Sequence, residues 1–159
     1  LTQGAVFKHF PTKDAIWLAV MGWVESHLLS ALDAVAAAAP TPLEGLRAVF
    51  MKHARFVARH PGVPRLILNE LQKPRDTPVK RRARSMQENY RKLVARLLAE
   101  AERRGEIVAG LDRDGAATLF IGAVQGLMLQ AMLAGSTSKL EAEAKRVFSI
   151  YLNAVRKPS

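Results

Sequence analysis

Apolar residues recur along this chain at the three-and-four spacing of α-helices, and nowhere with the strict alternation of strands. From Asp14 to Ala39 they fall at Ile16, Val20, Trp23, Val24, Leu28, Ala31 and Val35, with His27 on the same stripe and Trp17, Leu18 and Met21 on other faces. No basic residue occurs between Lys13 and Arg47. A helix apolar nearly all round is predicted, buried on more than one side.

Pro40 ends that helix, and Thr41-Pro42-Leu43-Glu44 is a capping-box start with proline at the first helical position. The helix it opens carries Leu43, Leu46, Phe50, His53 and Val57 on one stripe and runs to about His60, where Pro61, Gly62 and Pro64 interrupt it. Leu66, Ile67, Leu68 and Leu71 predict a short apolar helix closed by Lys73-Pro74. Thr77-Pro78 begins the next, with Val79, Ala83, Met86, Tyr90, Leu93, Val94, Leu97 and Ala101 in phase and Gly105 as its left-handed stop. Asp112 caps a helix whose run from Ala116 to Leu133 contains no charge. Ser138-Lys139-Leu140-Glu141 predicts a second capping box and a last helix through Ala144, Val147, Phe148, Tyr151, Leu152 and Val155. The fold class is therefore all-α.

The uncharged run raises the question of a membrane span. It is barely long enough, holds Thr118, Gln125 and Gln130, and ends at Gly135 as soluble helices do, so no membrane partner is expected. A helix this apolar needs cover on most faces. Gly122 and Gly126 admit a close backbone, so the cover is either the core of one chain or, as favoured here, a second copy in a symmetric dimer.

A chain of 159 residues suits one well-formed body plus a fragment of another unit. It has no cysteine, which rules out a disulfide framework and thiolate metal sites and fits a cytoplasmic setting. No signal peptide is seen. The net charge of +10 suggests nucleic acid, yet eleven basic and four acidic residues lie between Lys73 and Arg104. That excess of seven reads as the solvated face of a long helix.

Catalytic motifs are missing: there is no G-x-S-x-G, Walker loop or H-E-x-x-H. His53 and His60, two helical turns apart, fit core or cap positions better than a metal site. Neither an enzyme nor a cofactor is expected.

The start of the chain carries the functional signal. In LTQGAVFKHFPTKDA, Thr2, Gln3 and Gly4 open a short helical run with side chains that can approach base edges and phosphates, and Lys8, His9 and Lys13 add donors for phosphate oxygens. Val6, Phe7 and Phe10 are apolar anchors, while Pro11-Thr12 breaks the run and offers the next N-cap. The unit reads as helix, tight turn, helix.

TQGAVFKHFPTKDAI closely resembles the third helix and following turn in the DNA-binding head of TetR-family transcriptional regulators. IGAVQGLMLQAMLAG resembles the penultimate helix of their bodies. The resemblance implies that residues 1–39 are the end of a helix-turn-helix head with its connecting helix, and that 40–159 are a ligand-binding and dimerisation body. Thr2, Gln3, Gly4, Lys8, His9 and Lys13 would contact double-stranded operator DNA, without the phosphate bond of the family's usual tyrosine, replaced here by Phe7. A small, largely apolar effector would lie among Trp23, His27, Phe50, His53, Met86, Tyr90, Phe120 and Gln125, each of which has plain core packing as its alternative. A homodimer would form through Gly122, Gly126, Leu129, Phe148, Tyr151 and Leu152. The implied function is a ligand-responsive regulator, a repressor released from a palindromic operator. The alternatives are a helical ligand-binding or interaction module without DNA binding and, behind it, an α-helical enzyme.

Overall fold

The computed structural model describes residues 12–158, which form six helices and no strand. They are α1 (Lys13–Ala38), α2 (Pro42–Arg59), α3 (Gly62–Leu71), α4 (Pro78–Arg103), α5 (Arg113–Leu133) and α6 (Leu140–Val155). The all-α class predicted from periodicity is the one observed.

Local chemistry sets most helix starts. The hydroxyls of Thr12, Thr41 and Thr77 accept from the backbone N–H groups of Ala15, Glu44 and Lys80 at 3.1, 3.2 and 3.2 Å. The Asp112 carboxylate accepts from Gly115 N–H at 3.0 Å. Each supplies a partner to an amide that the first turn leaves free. Gly105 and Gly135 follow α4 and α5 with φ of +67°, where a Cβ would be strained.

Two boundaries differ from the sequence expectation. The predicted capping box at Ser138 does not form: α6 begins at Leu140 with Lys139 as an N-cap that makes no side-chain bond. Ser138 Oγ lies instead 2.9 Å from Ser136 Oγ, and Glu141 pairs with Arg55 at 3.1 Å. Pro64 does not interrupt a helix either. It sits in the first turn of α3, where a missing N–H costs nothing.

Helix α2 is central and packs against α1, α4, α5 and α6. Phe50 of α2, Phe120 of α5 and Phe148 of α6 are fully buried, with ring centroids 5.2 Å apart for Phe50–Phe120 and 5.3 Å for Phe50–Phe148. Gly45 lets α2 approach α1 and α4, since a Cβ there would stand 3.1 Å from Leu97 Cδ2 and 3.5 Å from the Ala36 carbonyl oxygen. Beyond α6 the chain folds back onto the α4–α5 loop. There Val108 N–H donates to Val155 O at 3.0 Å and Lys157 N–H to Glu106 O at 2.8 Å.

Helix α1 is fully buried along one stripe only, Met21, Val24, Leu28, Leu32 and Ala36, while Trp17, Leu18, Val20, Leu29 and Val35 pack half-buried against the core. Within it, Glu25–Leu29 forms a π-helical turn. Two side chains of this turn reach one carbonyl: Ser26 Oγ and His27 Nδ1 both donate to Trp23 O, at 3.0 and 2.8 Å. Helices α1 and α5 are each long and apolar enough to cross a membrane, and each packs a buried stripe against the other helices.

Candidate functional site

A cavity of about 420 Å³ opens between α1, α2, α3, α4 and α5, within the usual size of small-molecule sites, about 300–1,000 Å³. Helix α1 contributes Val24, Leu28, Leu29 and Leu32, and α2 contributes His53, Phe56 and Val57. Val63, Ile67, Leu68 and Leu71 of α3 form another wall, facing Ala83, Met86, Gln87 and Tyr90 of α4. Gln125, Gly126, Met128 and Leu129 of α5 complete it. Leu71 and Leu129, 51% and 48% exposed, mark where it meets solvent.

Among the described residues, no lining side chain is an acid, a lysine or an arginine. The polar groups are two pairs. His53 Nδ1 lies 3.1 Å from the Tyr90 hydroxyl, and Gln125 Nε2 donates to Gln87 Oε1 at 3.5 Å. Burial pushes the His53 imidazole down to about 4 and the Tyr90 phenol upward, because an apolar surrounding disfavours either charged form. Both groups are therefore neutral near pH 7. Among the described residues, no three His, Asp or Glu side chains converge as metal ligands would.

Of the eight residues predicted to face a ligand, His53, Met86, Tyr90 and Gln125 line this cavity. The other four do not. Phe50 and Phe120 are fully buried in the aromatic core behind Tyr90, whose ring lies 6.3 Å from that of Phe120. Trp23 and His27 each precede a cavity residue, Val24 and Leu28, and so point about 100° away from it. Their rings stack at 4.6 Å on an outer face, where Trp23 also meets the edge of His60 at 5.0 Å. The lining from α3 and Gln87 was not predicted, although the one-sided apolar pattern of α3 was a usable signal.

The residues predicted for a dimer interface also divide. Gly122 is exposed with nothing within 4 Å of an added Cβ, while Gly126 and Leu129 lie on the same helix beside the cavity. Phe148 and Tyr151 point inward, 1% and 3% exposed, and the Tyr151 hydroxyl donates to Ala116 O at 3.2 Å. They pack the chain's own core because the inward stripe of α6 runs Ala144, Phe148, Tyr151, Val155. Leu152 is half-buried. Leu129, which was predicted, is 48% exposed; the other outward apolar residues of α5 and α6 are Leu119, Leu133 and Ile150, 57%, 81% and 72% exposed, none of them foreseen.

Of the predicted DNA contacts, Thr2, Gln3, Gly4, Lys8 and His9 lie outside the described residues. Lys13 is exposed at the first position of α1. The basic residues of α4 lie on its exposed face, several of them paired: Arg81 and Arg84 with Asp76 at 3.2 and 2.6 Å, and Arg96 with Asp33 at 3.2 Å.

The model of one family, described as "Tetracyclin repressor-like, C-terminal domain", matches residues 42–147. A search of curated proteins finds no match. Among solved structures, the regulator MbdR from Azoarcus sp. CIB superposes with a TM-score of 0.84 at 20% identity, over 95% of this chain and 81% of that one. The ketosteroid regulator KstR2 of Mycobacterium tuberculosis gives 0.83 at 16% identity, covering 99% and 80%. FadR from Bacillus subtilis, in complex with stearoyl-CoA, gives 0.79 at 18% identity, covering 96% and 81%.

Proposed function

The chain belongs to the tetracyclin repressor-like (TetR) family of transcriptional regulators, and on that footing we propose that it is a one-component regulator whose grip on DNA answers to a small apolar molecule. Members of the family bind operator DNA and small effectors and form dimers, and neither they nor the structural neighbours are enzymes. The observation that carries the proposal is the cavity, because α1, the helix that follows the reading segment, forms one of its walls. FadR was solved with stearoyl-CoA, whose acyl chain is apolar, and KstR2 is a ketosteroid regulator, which supports reading the cavity as an effector site.

In this proposal residues 1–39 end the DNA-binding head and connect it to a body at 40–159. Thr2, Gln3, Gly4, Lys8, His9 and Lys13 contact the operator. A second copy covers the outward face of α5 and α6 at Leu119, Leu133 and Ile150, and the two heads of this cytoplasmic homodimer meet a palindromic site. The effector binds the DNA-incompetent arrangement more tightly, so filling the cavity releases a repressor.

The test is a mobility-shift titration of the full-length gene product against DNA flanking its gene, at several salt concentrations. Specific binding that weakens steeply with salt is expected. Its absence sinks the proposal.

A further inference from the structure

We propose that the cavity selects a neutral effector, an apolar skeleton bearing one hydrogen-bond-accepting oxygen such as a ketone, ester or alcohol, and that the His53–Tyr90 pair reads that oxygen. The inference rests on taking the cavity as a ligand site.

The first support is what the wall lacks. A carboxylate or phosphate drawn inside would lose its water and find, among the described lining residues, no lysine or arginine to replace it. Protonating His53 for the purpose would put a cation into the same dry surroundings. A neutral oxygen meets neither cost.

The second is a count of hydrogens. Neutral histidine carries one ring N–H and tyrosine one O–H, and the bond at 3.1 Å consumes one of the two. If the phenol donates to Nδ1, the Nε2–H is spare; if Nδ1–H donates to the phenol oxygen, the hydroxyl hydrogen is spare. Either way the pair holds one donor without a partner inside it. Tyr90 is 4% exposed and His53 half-buried, and both line the cavity, so a ligand oxygen is the partner within reach. The Gln87 and Gln125 amides provide a second neutral polar spot. The other side chains lining the cavity among the described residues are hydrocarbon or thioether, which accounts for the apolar skeleton.

The experiment measures displacement of N-phenyl-1-naphthylamine, a neutral apolar fluorophore, from the full-length protein at pH 7.5 by 2-decanone, 1-decene and decanoate. The ketone is expected to compete about tenfold better than the alkene, the size of one hydrogen bond made in a dry site, and better than the carboxylate. In the double variant His53→Phe/Tyr90→Phe the ketone's advantage over the alkene should vanish or reverse, because its oxygen then loses water without gaining a donor. Each single variant keeps one hydrogen and so part of the preference. If the double variant does not fold, the ranking of the three probes on the native protein decides. Decanoate competing as well as 2-decanone, or better, overturns the neutral-effector inference while the cavity stands as a ligand site. A dye that none of the three displaces removes the ligand site itself.

Discussion

The Lys73 ammonium lies 2.6 Å from a carboxylate oxygen of Glu70, although Glu70 is only 3% exposed. Thr77 donates its hydroxyl to the same carboxylate. The carboxylate thereby ties the end of α3 to the N-cap of α4, beside the cavity wall. The Lys73 bond, then that of Thr77, holds the Glu70 carboxyl below its ordinary value against the upward push of burial. Its contribution is complete above the unfolded carboxyl range and is lost as pH falls through the lower folded value. Glu70→Gln should cost about 1–3 kcal/mol in urea unfolding at pH 7. The gap between variant and native protein should narrow towards pH 3.

His53 predicts a separate loss at milder acidity. Its folded value of about 4 lies below the 6.5 of the unfolded imidazole, so the unfolded chain binds more protons between the two. Stability should therefore be full above pH 6.5 and fall as pH drops towards 4, by roughly 3 kcal/mol in all. Denaturant midpoints for the native protein and His53→Gln would show it. A slope unchanged in the variant assigns the loss to other groups.

Phe50 stands where α2, α5 and α6 meet, and its ring is fully buried. Phe50→Ala should lower stability by about 3–5 kcal/mol, from lost transfer energy and the cavity left behind. Thermal unfolding by circular dichroism measures this.

Leu133 is 81% exposed and Leu129 48% exposed on the same helix. Leu133→Asp should convert a dimer to a monomer in sedimentation velocity without lowering the helical signal. A variant that keeps the mass of the proposed dimer places the interface on another face.

Helix starts were legible at Thr41, Thr77 and Asp112 because each cap is a contact within three residues. Ser138 misled because a second hydroxyl, Ser136, competes for it. The facing of α1 was illegible: nearly every side is apolar, and the choice of Met21, Val24, Leu28 and Leu32 is made by the helices it meets. Half of the predicted ligand residues line the cavity, His53 of α2 and Met86 and Tyr90 of α4 among them. Phe50 and Phe120 carry the same aromatic signal, and only packing separates a ring that fills space from one that borders it. The π turn left no mark, since ESHLL contains nothing foreign to an ordinary helix.

That turn fixes a phase. Five residues beside the cavity hold the Lys13–Val24 half of α1 at a particular angle to the Ser30–Ala38 half. Were the same residues wound as ordinary α-helix, the upstream half would screw round by up to about 100° and advance about 1.5 Å, one residue's worth of pitch. Removing one residue from the turn would leave both halves in their present register. The chain therefore tolerates a deletion there better than a rewinding, and the aim of Lys13 is set by the thread of a single helix.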